Sequence, residues 1–157
     1  MRFDIDSRKE TTLTPVGPDK PGGAVSLAVS PDGAQVAYVG PNLVVAPAAG
    51  GPAREVVRFR GPSQNQEFND GLGVAWSPDQ RYLFFVSPVG ANLEKSAIWR
   101  VPLTGGEAVN VGISMQGRFR ALRVRPDGRQ IAFDSVVDAL SEIWALENFL
   151  PKVHVTK

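Results

Sequence analysis

One tetrapeptide returns at a nearly fixed interval, and this limits the folds open to the chain. Ser30-Pro31-Asp32-Gly33 comes back as Ser77-Pro78-Asp79-Gln80 and again as Arg125-Pro126-Asp127-Gly128. Pro31 and Pro78 stand 47 residues apart, Pro78 and Pro126 stand 48 apart. A period of this size marks an array of supersecondary units, none of which can bury its apolar surface alone. Short apolar runs bracket each copy. Residues 25–29, 72–76 and 121–124 precede the turns; residues 36–39, 83–86 and 131–133 follow them. Proline presets φ at the second turn position, aspartate suits the third, and glycine takes the positive-φ position. Each copy therefore reads as strand, tight turn, strand.

A third run follows at 43–45, 98–101 and 143–146. After it comes Gly50-Gly51 or Gly105-Gly106, then a fourth run at 53–57 or 108–111. Four strands in about 40–45 residues is the content of one propeller blade. The predicted fold is all-β: three four-stranded-type blades in units 21–62, 63–113 and 114–157. Residues 3–14 read as the outer two strands of a blade whose inner pair is missing, and 15–23 as a connecting loop. Residues 147–157 replace the last fourth strand, with a short helical turn expected before Pro151. Three blades and a half do not close a ring, because small propellers need at least about four. Both flanks of such a fan are expected to be rich in Val, Ile, Phe and Trp. Missing blades or a second copy of the chain would cover them.

The order of these elements carries a family resemblance. An apolar run, Ser-Pro-Asp-Gly, Ala37-Tyr38 or Phe84-Phe85, then Ile98-Trp99-Arg100-Val101 before Gly105-Gly106 resembles the TolB-type, WD-like β-propeller repeat. The resemblance covers roughly residues 20–147. It implies a periplasmic or extracytoplasmic bacterial setting. The ending from Glu142-Ile143-Trp144 to Pro151 is similar to the last blade of propellers fused to bacterial serine/threonine kinases. The chain would then be the C-terminal part of a larger sensor or scaffold. The same blades resemble the propeller of prolyl-oligopeptidase-like enzymes, which would imply an α/β-hydrolase domain alongside.

Composition narrows the partners. A net charge of +1 gives no global field for nucleic acid or anionic membrane. No run of 18 apolar residues is present to span a bilayer as a helix. The first six residues lack the apolar core of a signal peptide. The 16 glycines and 13 prolines fall at the predicted turns, which favours many short strands over one linker. The chain has no cysteine, which excludes disulfides, thiol catalysis and cysteine metal sites.

The chemical motifs are decoys. Gly112-Ile113-Ser114-Met115-Gln116-Gly117 has its second glycine three residues after serine, one too many for a nucleophile elbow, and it precedes a strand. His154, the single histidine, has no plausible partner nearby in sequence. Asp4-Ile5-Asp6 starts like a calcium loop without its glycine or closing glutamate. Asp32, Asp79 and Asp127 sit on separate turns and are expected to accept turn N–H bonds. The expectation is a non-enzymatic module without cofactor or metal.

In an antiparallel blade the connections alternate between two ends. The Pro-Asp and Gly-Gly turns share one face of the disc and are short. The second-to-third and blade-to-blade connections share the other and vary in length. Binding residues concentrate on variable loops held by a rigid scaffold. Candidates for a protein partner or small ligand are therefore Phe68, Asn69, Asp70, Asn92, Glu94, Lys95, Arg118, Arg120 and Asp138. Connections are expected at 88–97, 112–119 and 136–142. Arg123 belongs to a run of five arginines between 118 and 129, and aligns with Ala28 and Ala75 of the other repeats. Such a cation must pair or reach water. It would either line the central channel and meet an anionic group, or form an ion pair with Asp134 or Glu142. Nucleic acid suits the cluster poorly, since Phe119 is the one aromatic interleaved with it. Trp99 and Trp144 share one repeat position and are expected to pack between blades, with a ligand platform as the alternative.

Overall fold

The computed structural model describes residues 2–3, 5–11, 26–40, 42–59, 73–89, 95–137 and 140–147. The described residues form strands and turns with no helix, arranged as consecutive antiparallel sheets. Blade 1 is β3 (Ser26–Val29), β4 (Gln35–Val39), β5 (Asn42–Pro47) and β6 (Arg54–Arg58), paired in chain order. Blade 2 is β7 (Val74–Trp76), β8 (Tyr82–Val89), β9 (Lys95–Pro102) and β10 (Val109–Gln116). Blade 3 is β11 (Arg118–Val124), β12 (Gln130–Val137) and β13 (Leu140–Glu147), a three-stranded sheet. Before them β1 (Arg2–Phe3) and β2 (Glu10–Thr11) form a short hairpin that pairs with no other strand among the described residues. This is a partial β-propeller.

The turns have the chemistry the repeat promises. Gly33 N donates to Ser30 O, Gln80 N to Ser77 O and Gly128 N to Arg125 O, at 2.8–2.9 Å. In the first two turns the serine hydroxyl donates to the aspartate at 2.6 Å and accepts the N–H of Gln35 or Tyr82 at 2.9 Å. In the third, Arg125 replaces serine, and its Nε lies 3.3 Å from Asp127 Oδ2. Positive φ is needed at the fourth residue: 73° at Gly33, 58° at Gln80 and 71° at Gly128.

Two apolar layers hold the blades together. Residues alternate in facing along each strand, so every blade has a leading face toward the blade before it and a trailing face toward the next. Ala37, Val39, Leu43 and Val45 on the trailing face of blade 1 meet Val74, Trp76, Leu83, Phe85 and Val101 on the leading face of blade 2. Ala75, Phe84, Val86 and Ile98 behind them meet Phe119, Leu122, Ile131 and Phe133 of blade 3. Phe119 and Phe133 stack with ring centroids 4.4 Å apart, a contact worth about 0.5–1.5 kcal/mol beyond its area.

The second layer depends on two features that the repeat does not encode. Phe119 and Leu122 are three apart, so a regular strand would point them to opposite faces. The register of β11 on β12 shifts between Arg120 and Arg123, and Ala121 sits at φ 47°. This bulge turns both side chains toward blade 2. Gly73 lies opposite: a Cβ there would fall 2.8 Å from Leu122 Cβ and 3.2 Å from its backbone nitrogen. Only glycine lets the blades approach this closely.

Several expected connections are shorter in the structure. Strand β8 runs to Val89 and β9 starts at Lys95; β12 runs to Val137 and β13 starts at Leu140. A single residue, Gly117 at φ 92°, separates β10 from β11. Pairing extends because apolar residues alternate past the predicted strand ends, as in Ile113 and Met115, which pack against the second layer. Of the tail expected at 147–157, Glu147 closes β13 as a strand residue, and 148–157 lie outside the described residues.

Candidate functional site

The short turns stitch blades 1 and 2 on one face of the array. Trp76 Nε1 donates to Ala28 O at 2.9 Å, and Arg54 Nη2 to Leu103 O at 2.6 Å. With its amide nitrogen turned toward the first turn, Gln80 donates to both carboxylate oxygens of Asp32 at 3.0 and 3.2 Å. The Asp32 carboxyl is held below the ordinary value of 3.8, chiefly by the Ser30 hydroxyl and the Ala34 N–H. The Ser77 hydroxyl lowers Asp79 in the same way. These aspartates hold turns together and stand on separate blades.

The sequence places the candidate loop residues on the opposite face. Phe68, Asn69, Asp70, Asn92, Glu94 and Asp138 lie outside the described residues. Lys95 and Arg118 are described, and they are strand residues, not loop residues as the sequence suggested. Lys95 opens β9 and pairs with Gln116; Arg118 follows two residues later and pairs with Val136. Both are exposed. The structure thus brings these two cations to one end of the junction between blades 2 and 3. There Ser96 Oγ donates to Gly117 O at 2.7 Å, tying the two sheets together.

Arg120 and Arg123 continue this line down β11. Arg118 pairs with Val136, Arg120 with Asp134 and Arg123 with Ala132. These partners alternate with Ile131, Phe133 and Ser135, the first two of which face blade 2. All three arginines therefore lie on the trailing face of blade 3. The alignment of Arg123 with Ala28 and Ala75 holds in space, since both alanines lie on trailing faces and pack in the layer with the next blade. The expected ion pair with Asp134 is absent; Arg123 is exposed, and its Nη1 donates to Leu122 O at 2.8 Å. The side chain of Glu142 lies outside the described residues.

The expectation that both flanks are apolar holds for one of them. On the leading face of blade 1 lie Leu27, Val29, Val36, Tyr38, Val44 and Ala46, with Leu27 60% and Val29 55% exposed. The trailing face of blade 3 instead carries three arginines and Asp134, with Ile143 beside them 89% exposed. The tryptophans also differ. Trp99 is half-buried in the layer between blades 1 and 2, and its Nε1 is buried without a hydrogen-bond partner. Trp144 pairs with Phe133 on the leading face of blade 3 and is 37% exposed. Among the described residues no group of three His, Asp or Glu side chains is placed to hold a metal ion.

The sequence matches no family model, and no curated protein is similar to it. Solved structures do resemble the fold. The nidogen/laminin complex matches 79% of this chain and 44% of its own at a TM-score of 0.59 and 15% identity. TolB from Acinetobacter baumannii matches 77% and 27% at 0.50 and 20% identity. A prolyl endopeptidase matches 80% and 20% at 0.54 and 15% identity. The chain spans less than half the length of each.

Proposed function

We propose that this chain is a non-enzymatic binding module, a rigid set of propeller blades that presents its variable connections to a protein or small ligand. The observation that carries this is the two-faced construction. Hydrogen-bonded turns occupy one end of each of the three blades. The other end presents Lys95 and Arg118, and the sequence assigns to the same end the connections that contain Phe68, Asn69, Asp70, Asn92, Glu94 and Asp138. Mixed carboxylate, amide, aromatic and cationic side chains on a rigid frame suit recognition of a polar surface. The resemblance of residues 142–151 to kinase-linked propellers supports a place at the C-terminal end of a sensor or scaffold in a bacterial envelope.

The test compares two sets of variants in capture from the source organism. Asp70→Lys with Glu94→Lys alters the variable face; Thr104→Lys with Arg129→Glu alters the turn face. Loss of the captured species in the first set alone supports the proposal. Equal loss in both refutes it. The gene upstream of Met1 tests the setting: a kinase domain supports it, and a hydrolase domain alongside would make the chain the propeller of a peptidase.

A further inference from the structure

We propose that the outer edge of blade 3 docks an extended segment of a partner protein, which pairs with β13 and takes the place of a fourth strand. Blades 1 and 2 each end on a fourth strand, β6 or β10, whereas blade 3 ends on β13 among the described residues. A strand paired on one side leaves alternate N–H and C=O groups facing outward, and such an edge is a template for another chain. The other two outer edges are blunted. β6 is five residues long, carries Arg54, Glu55 and Arg58, and sits beside a register shift between Leu43 and Val44. β10 shifts register between Asn110 and Ser114, with Gly112 at φ 83° and its N–H donated to Asn110 Oδ1 at 2.7 Å. β13 has none of these devices. It keeps eight consecutive pairs with β12, from Gln130–Glu147 to Val137–Leu140, and contains no proline, glycine or lysine.

The chain's own sequence departs at the step that would fill this edge. Pro47, Pro102 and Glu147 are equivalent, since they pair with Gln35, Tyr82 and Gln130 at the start of the second strand of each blade. Three and four residues after the two prolines come Gly50-Gly51, at φ 91° and 132°, and Gly105-Gly106, at φ 91° and 125°. The sequence has Leu150-Pro151 at those two places in blade 3. A proline ring holds φ near about −65°, so the turn that leads blades 1 and 2 into a fourth strand is closed to this sequence. Blade 2 is four strands wide and blade 3 is three, and both start from the packed pair β7 and β11, so β10 extends past β13. A second copy paired through its own β13 would set its blade 2 on the same side, and the two β10 strands would compete for one space. A single extended segment meets no such conflict. Trp144, 37% exposed, stands on the side toward blade 2, where Val111, Ile113 and Met115 of β10 border the shared layer. The occupant is therefore an extended segment with apolar residues at alternate positions: main-chain hydrogen bonds hold it, and the contact with Trp144 sets its register.

The test uses the full chain and a labelled eight-residue peptide with valine at alternate positions and threonine and lysine between them. Fluorescence anisotropy should show saturable binding. Hydrogen exchange should slow at alternate amides of residues 140–147 and stay unchanged at those paired with β12. The same peptide with its amides N-methylated keeps the side chains but lacks the donors, and should bind at least roughly tenfold more weakly. Trp144→Ala should also weaken binding roughly tenfold, while Arg129→Glu on the turn face should leave it unchanged. No binding at millimolar peptide overturns the proposal, as does binding that N-methylation, Trp144→Ala or the amides of 140–147 do not register. Alternate amides already protected in the free monomer would mean that the chain fills its own edge. Protection that appears only in a dimer, by light scattering without peptide, would give the edge to a second copy. Either result refutes a partner segment.

Discussion

At the scale of single residues the repeated turn is a small hydrogen-bonded device, and its three copies are not equivalent. Asp32 and Asp79 have lowered pKa values because serine hydroxyls donate to them. A carboxylate depressed in the folded state adds stability above its unfolded value and loses it as pH falls through the folded value. Acid should therefore destabilise the chain below about pH 4. Asp79→Asn should flatten that dependence in denaturant titrations at several pH values; an unchanged slope would remove the turns from the acid response. Gln80 departs from the motif. Its φ of 58° carries about 1 kcal/mol of strain for a residue with a Cβ, yet its amide reaches Asp32 on the neighbouring blade. Replacing Gln80 with glycine relieves the first and loses the second. We expect Gln80→Gly to gain about 0.5–1 kcal/mol in an Asp32→Ala background and less in the wild type. A double-mutant cycle without coupling would show that the bridge does not form.

At the scale of strands and blades, turn residues and apolar runs were enough to find the hairpins in the sequence, because Pro-Asp-Gly fixes backbone angles locally. Strand ends were less legible. Residues 112–119 looked like a connection because they hold two glycines and an arginine, but β10 and β11 fill them and only Gly117 lies between. The bulge at Ala121 was invisible, since an alanine at positive φ is imposed by Phe119 and Leu122 seeking one face. Gly73 carries its reason in a neighbouring blade. We expect Gly73→Ala to cost about 1–3 kcal/mol through overpacking against Leu122, measured by chemical denaturation; a neutral result would mean that blades 2 and 3 are not in this contact. The tryptophans share a sequence position but differ in burial. Trp99→Ala should cost about 3 kcal/mol and Trp144→Ala about 1 kcal/mol or less. Equal losses in thermal or denaturant unfolding would show that the two sites are packed alike.

At the scale of the whole molecule, the array is directional. The leading face of blade 1 is apolar at its centre, with Asn42, Glu55 and Arg58 joined at one end, while the last trailing face carries the arginines of β11, and this difference decides what can stack at each end. The sequence showed the arginine run but not its facing, because the bulge changes the parity of β11 between Arg120 and Arg123. The variable-face candidates depend on the same blade order, for it sets which connections emerge together. Methyl nuclear Overhauser measurements on the monomeric fraction test that order most directly. The account predicts contacts of Ala37 and Leu43 with Val74, and of Ile98 with Leu122 and Ile131, but none between Leu27 or Val29 and Ile143. Contacts linking Leu27 or Val29 to Ile143 within one chain would join the two flanks and contradict an open, directional fan.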